Sequence, residues 1–487
     1  MKPLDIAVLC TYLALMAGTG FYFMRRNRDA DAYFKAGGRL PWWVVSLSIY
    51  ATMFSSITFI SVPAMSFSGD MTWFVISFAI PIMALVTVRW YLPFFRRLGL
   101  TSAYEYLETR FNLPCRLFAS AAFILFMIAR TAIVAYLPAL AISAVTGIGL
   151  NLAIVAVTFV TIIYCTVGGV EAVIWSDFIQ SVILITSTAL ILALLVAGSD
   201  GGLAGFVRSG LDAGKFRVFD LAFDWTKPCF WVVFVGGMVA NLASYTSDQC
   251  VVQRYMTTPD ERGAAKSILL NGVLSFFNSF VFFVMGVALW SFYRAHPGAL
   301  PAGVKPDAVL PVFIARELPT GVSGLVLAAV AAATMSTLSS NLNSAASAVT
   351  TDFYRRLWKG RSELLCGKVC TVAVGLFGGA GALALANADI GNIYDQFQRF
   401  LGILTGGLGC LFFMGVFMRR VDGFGATCGL VANYLVCFTL DLGPWSGKPH
   451  LLLYGFLGMA AALVVAPLAS ALRRLQKSGG GTRVAGT

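Results

Sequence analysis

Charged residues and histidines are scarce in this 487-residue sequence. Asp, Glu, Lys and Arg make up 12 % of it, only two histidines occur, and hydrophobic residues make up 58 %. The sequence contains neither a CxxC pair nor a His/Cys cluster, so we expect no zinc site and no disulfide framework. It also lacks any cluster of acid, base and nucleophile beside a cofactor motif, and we therefore expect a protein that is not an enzyme.

Long apolar runs dominate instead, and the mean hydropathy is +0.80. A run of about 20 apolar residues is long enough to cross a bilayer as a helix. The sequence predicts an all-α polytopic membrane protein with thirteen transmembrane helices in one domain, residues 1–475, before a disordered cytoplasmic tail, residues 476–487. The predicted spans are 5–24, 42–66, 71–93, 115–146, 149–167, 170–197, 228–256, 264–294, 321–348, 363–388, 391–418, 424–442 and 450–472.

The distribution of Lys and Arg predicts the orientation of these helices. With the N-terminus outside, the inside segments, which include residues 254–266, hold 23 of the 35 basic residues and the outside segments hold nine. Cytoplasmic loops are enriched in Lys and Arg, so the C-terminus is placed in the cytoplasm. The net charge of +12 then reflects topology, and no nucleic-acid partner is expected. Basic residues follow the first helix, so we expect it to be retained as an anchor.

Arg130 lies in the middle of an apolar run that is otherwise free of charge. Charged residues at the centre of a spanning helix cost about 2.5 to 3.5 kcal/mol on insertion scales and usually face a cavity, a partner or a substrate. Arginine binds carboxylates through two parallel hydrogen bonds, which makes Arg130 a candidate hook for an acidic solute. The alternative is an intramembrane salt bridge with Asp177 or Asp395.

The ninth predicted helix carries a stripe of oxygen-bearing side chains at steps of three and four residues, including Ser336, Ser339 and Ser340. Small residues also serve helix packing, but this density suggests ligands for a small hard cation. Asp177 could supply the formal charge of such a site, since a buried carboxylate is compensated by a cation. Alternatively, Asp177 pairs with Arg130 or caps a helix.

Four motifs carry a resemblance to a known family, and together they are specific. They are YEYLETRF at 104–111, GG at 168–169 with AVIWSD at 172–177, DQ at 248–249 with VQRY at 252–255, and MSTLSS at 335–340 with NS at 343–344. Over residues 1–475 the chain resembles the sodium:solute symporter family. RTAIV at 130–134 and YLPAL at 136–140 resemble the fourth helix of its bacterial sialic acid symporters.

The resemblance implies a LeuT-type core of two five-helix inverted repeats, about 42–197 and 228–418, with substrate at the midplane. The implied general sodium site comprises Ala51, Phe54, Ala333, Ser336 and Thr337. A second sodium site, found in part of the family, would use Asp177, Ser336, Ser339 and Ser340. The implied substrate contacts are Ser55, Thr58, Ser77, Arg130, Asn241 and Gln398. Ser77 stands where the sialic acid branch has glutamine, and Met53 replaces a hydroxyl residue.

We therefore expect a sodium-coupled symporter in a bacterial inner membrane that imports a carboxylated sugar, with sialic acid as the first choice. Its partners would be sodium, the solute and the lipid bilayer, without an obligate protein partner. The alternative is a sodium symporter for another organic acid or for a neutral sugar, in which Arg130 would be structural.

Overall fold

The computed structural model describes residues 3–26, 29–99, 101–358, 362–388, 401–402, 406–444 and 446–480. Within these ranges the chain is helical and contains no strand. The α-helices are α1 (Pro3–Phe23), α2 (Ala30–Lys35), α3 (Trp42–Met53), α4 (Ser56–Ser68), α5 (Ala79–Val86), α6 (Leu92–Leu98), α7 (Glu105–Arg110), α8 (Leu113–Thr146), α9 (Leu150–Ala197), α10 (Gly202–Asp212), α11 (Phe230–Thr246), α12 (Gln249–Tyr255), α13 (Glu261–Ala295), α14 (Pro306–Arg316), α15 (Val322–Ala348), α16 (Glu363–Ala386), α17 (Gly406–Phe417), α18 (Gly423–Leu442) and α19 (Tyr454–Gly480).

The described part of the chain has nine helices that are long and apolar enough to cross a membrane, or up to eleven if each of two bent helix pairs is one span. These features confirm the prediction of an all-helical, polytopic architecture. The thirteen-helix count stays a prediction, and residues 391–400 and 403–405 of the predicted span 391–418 lie outside the described residues.

Two predicted spans are broken near their middles. α3 and α4 meet at an angle of 61°, and α11 and α12 meet at 52°. At the first break Phe54 leaves the helical region, with φ −91° and ψ 90°. At the second, the side chain of Asp248 caps α12 by accepting a hydrogen bond from the Cys250 N–H. Helix breaks free backbone carbonyls and N–H groups to bind other partners.

The fifth and sixth predicted helices follow each other without a loop, and the run that we label α9 consists of two helices that meet at a kink. Its only non-helical residue is Gly169, with φ 60° and ψ −163°. That backbone conformation is accessible essentially to glycine alone, because a Cβ atom would clash there. The predicted boundary at residues 168–169 therefore marks a kink.

α15 lies at the centre of the molecule, where almost all of its residues are buried. It packs against α1, α8, α9 and α16. Small side chains dominate its sequence and allow neighbouring helices to approach closely. Its polar stripe is therefore enclosed by protein and faces the break between α3 and α4, where the Ser336 hydroxyl donates to the Ala51 carbonyl.

Candidate functional site

A cavity of about 220 Å³ lies beside both helix breaks. It is lined by residues around the α3–α4 break, by Ser77, by α8, by the α11–α12 junction and by α13. Its walls are mostly apolar with a few polar groups, the usual composition of a small-molecule site. A second cavity of about 590 Å³ shares Met65 and Trp73 with the first and is bordered by the segment after α10. The two cavities are therefore adjacent.

The structure brings together four of the six residues predicted to contact substrate. Thr58, Ser77, Arg130 and Asn241 all line the smaller cavity. Ser55 is buried at the α3–α4 break and does not line it. Gln398 lies outside the described residues. The two residues that depart from the sialic acid pattern, Met53 and Ser77, are both in the cavity wall.

Arg130 is 9 % exposed and reaches the cavity from α8. Its Nη2 donates to the Thr52 carbonyl at 3.2 Å, and its Nη1 lies 3.7 Å from Oδ2 of Asp248. Its Nε is buried and has no hydrogen-bond partner among the described residues. The guanidinium thus keeps hydrogen-bonding capacity for a ligand in the cavity.

The nearby acid is neither of the two partners considered from the sequence. Asp177 pairs with another arginine, and Asp395 lies outside the described residues. Asp248 belongs to one of the family motifs, but the sequence did not indicate that it approaches Arg130. One sequence signal was available: aspartate is a common helix N-cap residue, so Asp248 could have indicated the start of a new helix at this position.

The residues of the predicted general sodium site converge where α15 meets α3. The Ser336 hydroxyl donates to the carbonyls of Ala51, at 3.0 Å, and Ala333, at 3.2 Å. The Thr337 hydroxyl also donates to the Ala333 carbonyl, at 3.2 Å. Phe54 lies at the break, where its carbonyl is released from regular helix bonding. The site is thus a set of neutral oxygens, a donor chemistry that suits a small hard cation.

In the predicted second sodium site, the guanidinium of Arg254 lies beside the carboxylate of Asp177. Oδ2 of Asp177 accepts hydrogen bonds from Ser48 at 2.6 Å and from Nη2 of Arg254 at 2.9 Å. The same Nη2 donates to the hydroxyl of Ser340, while the Ser339 and Ser340 hydroxyls donate to the Ser336 carbonyl. Oδ1 of Asp177 has no hydrogen-bond partner among the described residues. Arg254 therefore bridges Asp177 and Ser340.

Arg254 does not lie in an exposed cytoplasmic loop, as its place in the predicted inside segment 254–266 suggests. It belongs to α12, and its side chain is only 1 % exposed. Its Nε donates to Ser48 and its Nη1 to the Cys250 carbonyl. All three guanidinium nitrogens are hydrogen-bonded. Its place in the VQRY motif was the available signal.

A further ion cluster joins α7, α8 and the π-helix Val349–Trp358. Asp352 is wholly buried, and Arg116 contacts both Asp352, at 2.7 Å, and Glu108, at 2.8 Å. Arg356 also bonds Glu108, at 2.7 Å. Arg356, with help from Arg116, holds the pKa of Glu108 below its usual range. The cluster joins the short helix α7 to the π-helix that follows α15.

Comparisons with known proteins agree with this geometry. The family model for the sodium:solute symporter family matches residues 33–432. The chain is 36 % identical over 482 residues to the sodium/sialic acid symporter SiaT of Proteus mirabilis strain HI4320, covering 97 % of this chain and 96 % of that protein. It is 38 % identical over 435 residues to the sodium/sialic acid symporter NanT of Aliivibrio fischeri, covering 88 % and 86 %.

The chain is also similar in three dimensions to a solved structure of a sialic acid symporter. It is a Na⁺-coupled sialic acid symporter in a substrate-bound outward-open state, described as revealing a novel Na⁺ site. It superimposes with a TM-score of 0.90 at 34 % sequence identity, covering 97 % of this chain and 98 % of that one. The resemblance seen in the motifs is confirmed, and with it the expectation of a carrier instead of an enzyme. This multi-pass membrane protein belongs to the sodium:solute symporter family.

Proposed function

We propose that this protein is a sodium-coupled symporter that imports sialic acid, N-acetylneuraminate, by alternating access across a bacterial inner membrane. The observation that carries the proposal is the partly satisfied guanidinium of Arg130 at the cavity. A guanidinium offers a planar fork that matches a carboxylate. The two sialic acid symporters of 36 % and 38 % identity support this substrate.

Within this proposal, Thr58, Ser77, Arg130 and Asn241 contact the solute in the cavity. Ser55 adds a polar group at the α3–α4 break, and Gln398 completes the predicted set. Hydroxyl and amide groups at the cavity wall can bond the hydroxyls of a sugar, while Arg130 selects its acid group. Because serine is shorter than the expected glutamine, Ser77 reaches less far toward the solute from this side of the cavity.

Sodium is the cargo that drives uptake. Ala51, Phe54, Ala333, Ser336 and Thr337 form the general ion site in this proposal. Asp177, Ser336, Ser339 and Ser340 form the second. Ser336 belongs to both sites, so their occupancies are linked. Because binding free energies couple reciprocally, sodium bound from outside raises the affinity for solute and solute raises the affinity for sodium.

The architecture we propose is thirteen transmembrane helices with a LeuT-type inverted-repeat core, about 42–197 and 228–418. The two broken spans support it, since each falls in the first helix of one proposed repeat. Broken helices at the midplane are the usual place for ion and solute sites in such carriers. The excess of Lys and Arg in alternate loops supports an outside N-terminus and a cytoplasmic C-terminus.

One observation favours a second candidate function. Because Asp248 lies 3.7 Å from Arg130, the guanidinium already has a counter-charge within the protein. Arg130 would then be structural, and the carrier would move a neutral sugar or a different organic acid.

Uptake by purified protein in liposomes separates these candidates. An inward sodium gradient should drive accumulation of labelled N-acetylneuraminate, and a potassium gradient of the same size should not. Excess unlabelled N-acetylneuraminate should abolish the signal, while excess glucose should leave it unchanged. Absence of labelled N-acetylneuraminate uptake, together with sodium-driven accumulation of labelled glucose in the same liposomes, would support the neutral-sugar carrier. Uptake without a sodium requirement would contradict both.

A further inference from the structure

One guanidinium links the two helix breaks. Arg130 donates from Nη2 to the Thr52 carbonyl, near the end of α3, and its Nη1 faces Asp248, at the start of α12. Both Arg130 and Asp248 line the 220 Å³ cavity, where their side chains are 10 % and 15 % exposed. Any anion that enters this cavity therefore meets Arg130 and Asp248 together.

The carboxylate of Asp248 is fixed in place by its own backbone environment. Its Oδ1 accepts a hydrogen bond from the Cys250 N–H at 2.8 Å, which caps α12. Its Oδ2 is left to face Arg130 at 3.7 Å, a separation too long for a hydrogen bond but short enough for strong electrostatic attraction. Asp248 thus neutralises Arg130 without occupying its donors.

This arrangement differs from an ordinary salt bridge in what it leaves open. The Nε of Arg130 is buried without a partner, and Nη1 has no hydrogen bond to Asp248. A buried donor without a partner is costly, so a ligand whose binding provides acceptors for Nε and Nη1 gains more than a new contact on the surface would. The same ligand, if anionic, meets the negative charge of Asp248.

We infer that Asp248 is a positioning residue that sets acid selectivity by competing, as an internal counter-ion, with the solute carboxylate for Arg130. This inference rests on the proposed function. In the empty site Asp248 balances the charge of Arg130. An acid binds only if the full two-point fork and the contacts of its sugar outweigh the repulsion from Asp248. Small monocarboxylates lack those extra contacts and are excluded.

The charge of Asp248 can be removed while its cap is kept. Asparagine and serine cap helices about as well as aspartate, so Asp248→Asn and Asp248→Ser both leave α12 supported. The matched control is Asp260→Asn, because Asp260 caps α13 in the same way, accepting from the Gly263 N–H at 2.6 Å, and does not line the cavity. Two independent variants keep the test usable if one of them folds poorly.

Calorimetry at saturating sodium would measure binding of N-acetylneuraminate and of its methyl ester, which lacks the negative charge. In both Asp248 variants the acid should bind about fivefold more tightly, as expected from removal of one partly exposed charge, while the ester binds as before. Acetate should also compete with the acid in these variants at concentrations that have no effect on the parent. The Asp260→Asn protein should behave as the parent does.

An unchanged acid-to-ester ratio in folded Asp248→Asn and Asp248→Ser would overturn the inference. Weaker binding of the acid would also overturn it, because Asp248 would then support Arg130 instead of competing for it. Failure of the proposed function looks different. In that case the parent itself would show no preference for the acid over its ester, and Arg130→Lys would change neither affinity.

Discussion

The buried pair Arg254–Asp177 and the cavity-lining pair Arg130–Asp248 differ in how many of the arginine's hydrogen-bond donors have partners. Arg254 and Asp177 are 2.9 Å apart and almost wholly buried, and every guanidinium nitrogen of Arg254 is hydrogen-bonded. Arg130 and Asp248 are 3.7 Å apart at a cavity, and Nε of Arg130 has no partner among the described residues. In the Arg254–Asp177 pair the arginine is fully hydrogen-bonded within the protein. In the Arg130–Asp248 pair the arginine keeps a donor without a partner.

The comparison shows that an intramembrane charge is not by itself a binding site. From the sequence, Arg130 and Asp177 were both functional candidates because each interrupts an apolar run. The structure separates them by surroundings. Arg130 lines a cavity and its Nε has no partner among the described residues, whereas Asp177 is fully buried with one unpartnered acceptor, Oδ1. An ion at Asp177 must therefore share that carboxylate with Arg254 or displace it.

Removal of Arg254 should have the largest effect on stability. Arg254→Met leaves the carboxylate of Asp177 buried without its counter-charge, and loss of one partner of a buried pair costs about 3 to 5 kcal/mol. Thermal unfolding in detergent should show a large fall in Tm. Sodium should recover part of this loss if the second ion site exists, because the cation would then replace the lost positive charge.

The matched control for that variant is Arg254→Met combined with Asp177→Asn, which removes both charges. Its Tm should lie well above that of Arg254→Met alone. A single variant as stable as the parent would contradict the view of this pair as a structural element.

Asp177→Asn tests whether the buried carboxylate also carries an ion. Each sodium ion moved inward adds about 2.3 kcal/mol per 100 mV of membrane potential to the driving force. Sodium titrations of uptake should be cooperative in the parent, and in Asp177→Asn the Hill slope should fall toward one while solute binding at high sodium partly survives. A parent with a Hill slope near one and a charge-to-solute ratio consistent with one sodium ion, which is zero net charge for a monoanionic solute, would leave Asp177 as the structural partner of Arg254 alone.

Arg130→Lys should weaken solute binding without the stability loss expected at Arg254. Lysine keeps the charge beside Asp248 but loses the two-point fork, so affinity for the acid should fall by about 1 to 3 kcal/mol, the scale of a hydrogen bond to a charged group. Calorimetry against N-acetylneuraminate measures the change, and the Tm of the same sample reports stability. Unchanged affinity in both Arg130→Lys and Arg130→Ala would make Arg130 structural.

Much of the fold could be predicted because a helix that crosses a bilayer needs a run of about 20 apolar residues, which is visible in the sequence. The apolar runs located the long helices, and the polar stripe drew attention to α15, whose residues are almost all buried. The breaks at Phe54 and Asp248 were missed, since both occur within apolar spans whose length alone suggests one helix. The predicted boundary between the fifth and sixth helices falls at residues 168–169, where Gly169 kinks the backbone. The sequence indicated the position of this interruption but not its geometry.

The candidate site was predictable where family motifs fix a residue's role, and less so where pairing depends on packing. Ser336 and Thr337, which the resemblance implies as sodium ligands, donate to backbone carbonyls, and their role in ion binding stays a prediction. Arg254 and Asp177 are 77 positions apart, and Arg130 and Asp248 are 118 apart. Nothing in the local sequence distinguishes which arginine meets which acid, because that choice is made by the arrangement of α8, α9 and α12.

The smallest expected effect comes from removing single hydroxyl groups of the two proposed ion sites. Ser336 donates to carbonyls on both α3 and α15 and belongs to both predicted sites, whereas Thr337 and Ser339 each belong to one. Loss of a single neutral hydroxyl ligand should cost about 1 kcal/mol, so Ser336→Ala should weaken sodium activation of uptake several-fold and lower its cooperativity. Thr337→Ala should shift the general site alone, and Ser339→Ala the second site alone. The discriminating measurement is a sodium titration of uptake for the three variants beside the parent. Three titrations identical to the parent would show that these hydroxyls only pack helices. Evidence for a binding site, in contrast to the buried Arg254–Asp177 pair, would then come from Arg130 alone.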